Sequence, residues 1–265
     1  MTAEIAPHTD RLVWAVADRL RAQHGRDELP ELAVLPAHAF SRLVNLVQFM
    51  YPDIGEDFIR RRYIYASDEQ MAQFFGVLVD GGFVERVGER FRPTDHLPPL
   101  LDAYDAAIRD SAQTHWQGHV DVVESVLPMV RQVLEACPEP EMLVAAALIA
   151  PEADDSCQLL YQRLAALRLL RNEAHVRAWR AHGLAPSEVE VLTSAWSGSK
   201  TQGSSEPTPS MVDRGLAVDG VVNDAGLALR AEIEAETNAG VAAAFAVIDQ
   251  EAFVKALAVL PGPLG

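Results

Sequence analysis

The stretch Ser67–Thr94 reads SDEQMAQFFGVLVDGGFVERVGERFRPT, and its punctuation decides the fold. Ser67 is an N-cap residue, and Asp68 and Glu69 stand in the first turn, where carboxylates suit the helix dipole. The helix predicted over Glu69–Val79 meets Gly81-Gly82, a C-terminal stop. Phe83-Val84-Glu85-Arg86-Val87, Gly88-Glu89 and Arg90-Phe91-Arg92-Pro93 then read as strand, tight turn, strand. A second helix, from about Pro36 to Tyr51, precedes this unit and is stopped by Pro52. Helix, helix, glycine stop and hairpin make a winged helix-turn-helix pattern, with the hairpin as the wing.

Upstream, Leu12–Gln23 is a short amphipathic helix followed by a connection at Gly25–Pro30. Downstream, Pro98 to Ala136 is helical, with a break or kink predicted at Pro128. Pro138, Pro140 and Pro151 punctuate a linker that holds one short helix, Glu141–Ala150. Leu159–His182 is a long helix ending at Gly183, and Pro186–Trp196 is another. Ser197–Ser210 (SGSKTQGSSEPTPS) is of low complexity. After Met211–Gly215, the Asp219-Gly220 pair between Leu216-Ala217-Val218 and Val221-Val222 signals a tight hairpin. Asn223 or Asp224 caps a helix over Ala225–Thr237, and a last helix runs to about Leu260. The expected fold is mostly α with small β-hairpin wings: tandem winged helix-turn-helix modules bridged by long helices. The expected division is 1–137, a linker at 138–158, and 159–265.

Apolar residues make up 49% of the chain, enough for a packed core. Basic residues number 22 against 38 acidic, a net charge of −16, which excludes a general nucleic-acid coat. Only Lys200 and Lys255 are lysines, a bias that suits a high-GC genome. The best apolar run, Met142–Ala150, is far short of the ~20 residues of a membrane span. MTAEIAPHTD carries no secretory pattern, and Cys137 and Cys157 fit neither a disulfide framework nor a zinc ribbon. A cytoplasmic protein is expected. GxGxxG, Walker A, GxSxG and CxxC patterns are missing, which argues against nucleotide-dependent, α/β-hydrolase and thioredoxin-like chemistry.

Two resemblances add to this reading. Ser67–Thr94 resembles the recognition-helix-plus-wing unit of MarR-like and other winged-helix proteins. More narrowly, Arg168-Leu-Leu-Arg171-Asn-Glu-Ala-His175, with His182-Gly183-Leu184, is similar to an actinobacterial helix-turn-helix family related to MarR regulators. Arg214-Gly215-Leu216, Asp219-Gly220, Ala225-Gly226, Leu229-Arg230, Ile233-Glu234 and Thr237 also match that pattern. The resemblance covers about 159–264. Where that family has a Trp-containing helix before Arg-Gly-Leu, this chain has its Ser/Gly/Pro-rich stretch. It implies a fold and a ligand site rather than a reaction.

DNA is disfavoured as a partner by charge. The first reader helix, Asp68–Asp80, carries three acids, two glutamines and no basic residue, although base edges and phosphates call for basic and amide donors. Arg60, Arg61, Arg62, Arg86, Arg90 and Arg92 form the one candidate DNA-binding patch. The preferred reading pairs them with Asp57, Glu85 and Glu89.

Two constellations are candidate ligand sites. His115 and His119 fall in the apolar stripe of Ile108, Ala112, Val122, Val126, Val130 and Val133, where imidazoles need hydrogen-bond partners or a ligand. Their i,i+4 spacing suits one metal ion, although no third ligand is fixed by spacing. Arg168, Arg171 and His175 share a strip with Trp179, a set that suits a carboxylate or other planar anion. The structural alternative is that the two arginines bridge to acids on neighbouring helices, such as those near Glu173 or Asp154.

The leading expectation is a small-molecule-binding, MarR-like sensing or regulatory protein with weak or no DNA reading. Its ligand-binding residues would be His115, Trp116, His119, Arg168, Arg171, His175 and Trp179. An enzyme using the histidines as acid, base or metal ligands is the alternative, a DNA-binding regulator the second, and a structural interaction module the third. The cofactor, the oligomeric state and whether any reaction is catalysed stay open at this stage, with the balance against an enzyme.

Overall fold

A computed structural model of the protein describes residues 2–24, 54–137, 142–198 and 206–262. The helix expected over Pro36–Tyr51, the connection at Gly25–Pro30 and the centre of the low-complexity stretch lie outside these. The described chain is mostly helical, and no helix in it is long and apolar enough to cross a membrane. It divides into two compact units, 1–170 with 243–265, and 171–242. The sequence boundaries of 1–137 and 159–265 divide it differently.

In the first unit, helix α1 (Thr2–Gln23) extends well upstream of the expected start. Strand β1 (Ile54–Gly55) leads into α2 (Glu56–Arg62), α3 (Asp68–Asp80) and the hairpin β2 (Val84–Val87) and β3 (Arg90–Pro93). Helix α3 starts where Ser67 predicts, through a reciprocal cap. The Gln70 amide donates to Ser67 Oγ at 3.1 Å and the Ser67 amide donates to Gln70 Oε1 at 2.9 Å. Gly82, at φ +71°, turns the chain out of the helix, and Thr94 donates its hydroxyl to the Gly82 carbonyl. The hairpin thus stays tied to the end of α3.

The sheet has the order β1-β3-β2, all antiparallel, with Ile54 opposite Phe91 and Val87 opposite Arg90. Only Phe91 of β3 turns inward, and its ring stacks on Phe75 of α3 with centroids 4.5 Å apart. Sequence patterning missed β1, because two residues carry no periodicity.

The main core of this unit lies along α4 (Leu97–Trp116), which buries Leu100, Tyr104, Ile108, Ala112 and Trp116. Helix α1 packs on it with Leu12, Val16 and Leu20. The break expected at Pro128 occurs earlier. Trp116 leaves helical geometry at φ −113°, a 3-10 turn spans Gln117–His119, and α5 (Val120–Glu135) then runs through Pro128 unbroken. Gly118, the weakest helix former nearby, sits in that turn, whereas Pro128 is exposed and loses one amide bond. Helix α6 (Met142–Ile149) follows, then α7 (Ser156–Ala181), whose residues 156–170 belong to this unit. Helix α11 (Gln250–Val259) returns to pack on α1 and α5 with Phe253 and Leu257 fully buried.

The second unit holds the end of α7, α8 (Pro186–Ser197), α9 (Pro209–Asp213), the hairpin β4 (Ala217–Val218) and β5 (Val221–Val222), and most of α10 (Asp224–Phe245). Both turn residues of the hairpin have positive φ, Asp219 at 49° and Gly220 at 76°, as a type I′ turn requires. Asn223 caps α10 by accepting the Gly226 amide at 3.1 Å. Gly226 is where the hairpin base meets the first turn of α10. A Cβ there would lie 2.5 Å from the Leu216 carbonyl oxygen and 2.6 Å from Val222 Cγ1. Alanine normally gains about 1 kcal/mol over glycine in a helix. Gly226→Ala is expected instead to destabilise by about 1–3 kcal/mol, because backbone has to move. Thermal melts of the two proteins check this, and an unchanged or raised Tm would refute it.

Candidate functional site

Helix α2, the turn at 63–67 and α3 form one surface of the first unit. The solvent face of α3 presents Glu69, Ala72, Gln73 and Asp80. Gln70 is committed to the cap through its carbonyl oxygen, so Gln73 is the amide left to reach outward. Beside this face stand the arginines of α2 and the wing. Ile54–Thr94 contains six arginines and seven carboxylates, close to neutral in a chain of net charge −16.

Arg92 takes Glu85, a partner the sequence offers, whereas Arg60 and Arg86 take acids it does not. Glu56 rather than Asp57 is the central acceptor. Its two oxygens take Arg60 Nε at 3.0 Å and Arg86 Nη2 at 2.6 Å. Arg60 also reaches Asp68 at 2.7 Å, which raises its pKa further, and Arg92 meets Glu85 at 3.3 Å. Arg86 and Arg92 remain more than half exposed. Arg62 differs from the rest, since burial and then the Arg168 charge lower its pKa. Glu56 had no signal of its own in the sequence: its role depends on β3 bringing the wing back beside α2.

Of the histidine constellation, His115 and Trp116 are buried on α4 and His119 is half-buried in the 3-10 turn. The helix ends between them, so they do not share one continuous α-helical face. His115 Nε2 donates to the Pro261 carbonyl at 3.1 Å, which leaves Nδ1 as a buried acceptor with no partner among the described residues. Burial lowers the His115 pKa, against the Pro261 hydrogen bond, so the ring is neutral at pH 7.

The residues of the second constellation separate. Arg168, in the first unit, donates to Asp10 at 2.5 Å and lies 5.4 Å above the Trp14 ring. Arg171, His175 and Trp179 are in the second unit. There Glu234 receives Arg171 on one oxygen and Arg230 on the other, the latter at 3.0 Å. Burial raises the Glu234 pKa, but the two guanidinium groups outweigh it and hold the carboxyl below its usual range. Arg230 Nε reaches Thr193 at 3.1 Å and its guanidinium sits 4.9 Å above the exposed Trp196 ring.

His175 lies beside this knot, with Nδ1 3.1 Å from Thr237 Oγ1. Thr237 donates its own proton to the Ile233 carbonyl at 2.7 Å, so the ring must donate from Nδ1, leaving Nε2 as an acceptor. Burial, then the charges of Arg230 and Arg171, push the His175 pKa down to about 4. Glu173 and Asp154, offered by the sequence as partners for the arginines, are replaced by Glu234 and Asp10. The sequence had quoted Arg230, Glu234 and Thr237 without connecting them to Arg171 and His175.

No curated protein and no solved structure matches the chain. A family model does, one described as a helix-turn-helix family, over residues 70–263. The match begins inside α3, takes in the β2–β3 hairpin and continues through the second unit. Spanning well over half of the sequence, it makes the chain a member of that helix-turn-helix family.

Proposed function

We propose that the protein is a regulator of the DNA-binding type, built as two winged helix-turn-helix modules in the MarR-like manner, and that it engages duplex DNA through Ile54–Thr94. The observation that carries this reading is the pairing of a capped α3 with a wing whose arginines stand exposed. Arg86, Arg90 and Arg92 would meet phosphates, and Gln73, beside the small Ala72, would approach base edges. The second module is the poorer reader. Its described residues between 186 and 222 include Glu188, Glu190, Glu206, Asp213 and Asp219, and the one basic residue described there, Arg214, is committed to the His182 and Gly183 carbonyls. A cytoplasmic location belongs to the same proposal.

Affinity is limited by the protein's own carboxylates, since Glu56 occupies two of the arginines. The test is a fluorescence titration with random duplex DNA between about 50 and 200 mM salt. Binding is expected to weaken steeply with salt. Arg86→Ala, Arg90→Ala and Arg92→Ala combined should cut the slope of log K against log salt by about 2–3. Glu56→Gln should tighten binding at low salt by releasing Arg60 and Arg86. No binding at tens of micromolar in low salt, or a triple variant indistinguishable from the parent, would sink the reading.

A sensing role is the second reading, favoured by the Arg171–Glu234–Arg230 knot beside the neutral His175 and exposed Trp196. A planar carboxylate would compete with Glu234 for the two guanidinium groups. The enzyme reading has less behind it: Glu234 is taken up by Arg171 and Arg230, and His175 Nδ1 by Thr237.

A further inference from the structure

We propose that the second unit binds a divalent transition-metal ion through His182, Glu232 and Glu236. One donor atom from each of the three side chains lies within 4.8 Å of the other two. They form the one such group of three or more metal-ligating side chains among the described residues. Glu232 and Glu236 are one turn apart on the exposed face of α10, and His182 comes from the turn after α7. The donors therefore come from two elements, which distinguishes the group from a run of surface acids on one helix.

Donor chemistry and spacing fit such an ion. One imidazole and two carboxylates are borderline-soft and hard ligands of the kind zinc accepts, with bonds of about 2.0–2.2 Å that place neighbouring donors about 3.3 Å apart. His182 Nε2 and Glu236 Oε2 already stand 3.1 Å apart. Closing Glu232 on them needs only rotation of an exposed side chain. Glu232 has no other ion pair or hydrogen bond among the described residues, so nothing has to be broken.

The histidine is held in place for this. Gly183, at φ +66°, reverses the chain after α7. Arg214 Nη2 donates to the His182 carbonyl at 2.8 Å and Nη1 to the Gly183 carbonyl at 3.4 Å. This clamp fixes the His182 backbone and leaves its ring to Glu236. His182 keeps about a fifth of its side-chain surface exposed and Glu236 about two-fifths, so an ion has a route in and water can complete its coordination.

Metal-stripped full-length protein titrated with zinc chloride by calorimetry, with thermal melts alongside, tests the proposal. One zinc per chain is expected, with a rise in Tm that grows with zinc concentration. His182→Ala and Glu232→Gln should each weaken binding at least about tenfold, while His24→Ala, at a histidine paired with Asp110 elsewhere, leaves it unchanged. Glu232→Gln removes no structural contact, so its fold is secure even if His182→Ala disturbs the turn. Absence of binding by the parent, or equal binding by Glu232→Gln, overturns the assignment.

Discussion

Replacing Glu234 by alanine is expected to cost about 3 kcal/mol of unfolding free energy, among the largest effects of any single polar substitution in this chain. The carboxylate sits between two guanidinium groups, and the Arg230 side chain retains only 7% of its exposure. Removing the acid leaves Arg171 and Arg230 close together without a counter-charge. Two like charges, Arg230 buried and Arg171 part-exposed, then repel in a medium that screens less than water. Glu234→Gln keeps an acceptor for one arginine, and about half of the loss is expected there. Urea unfolding followed by circular dichroism gives both numbers. A loss below about 1 kcal/mol for the alanine variant would show that water screens the knot as it screens a surface pair.

The second large effect is an acid sensitivity centred on His175. Its folded pKa is about 4, below the unfolded value of 6.5. The unfolded chain therefore takes up a proton that the native chain refuses. The stability linked to this group is present in full above pH 6.5 and is lost as the pH falls through 6.5 to about 4, by up to about 3 kcal/mol. His175→Asn retains a donor for Thr237 but cannot titrate. Its unfolding free energy should fall less than the parent's across that window. Parallel pH profiles would exclude His175 as the source. Because Glu234 holds the His175 pKa up while the arginines push it down, Glu234→Ala should also shift the acid limb to lower pH.

These two predictions rest on contacts that the sequence could not supply, while much of the fold was legible. Elements punctuated locally came through well. Ser67 and Gly81-Gly82 bracket α3 to within a residue, and Asp219-Gly220 gives the second hairpin its turn. Elements whose ends are set by packing did not. Helix α10 was expected to end at Thr237 but runs to Phe245 through Gly240, which lies close to Ala174 of α7, where a Cβ would be 3.3 Å away. Glycine reads as a stop in sequence, yet here it permits two helices to approach.

The candidate sites show the same division. Periodicity placed His115 in the core correctly, because amphipathic spacing is a local property. It put His119 on the same seam only by assuming an unbroken helix through Gly118. Partners were harder still. Arg171 and Glu234 are 63 residues apart, as are Glu56 and Arg86 by 30, and nearest-acid reasoning offered Glu173 and Asp57 instead. Glu232 and Glu236 carry a signal, their i,i+4 spacing, but His182 joins them only from the turn after α7, far away in sequence.

One feature of the chain's layout bears on how it is made. The first compact unit is written in two instalments, 1–170 and 243–265, with the whole of the second unit between them. Helix α1 buries Leu12 and Val16, but Phe253 and Leu257, which pack from α11, emerge some 240 residues later in synthesis. The ribosome therefore delivers an early, unfinished hydrophobic face, then a contiguous inserted unit able to collapse on its own, and last the helix that closes the first. At 5–20 residues per second that interval is roughly ten seconds or more, long enough for a chaperone to hold the open surface. Nascent chains arrested before residue 250 should be cut rapidly by protease in α1 and α4 while 171–242 resists.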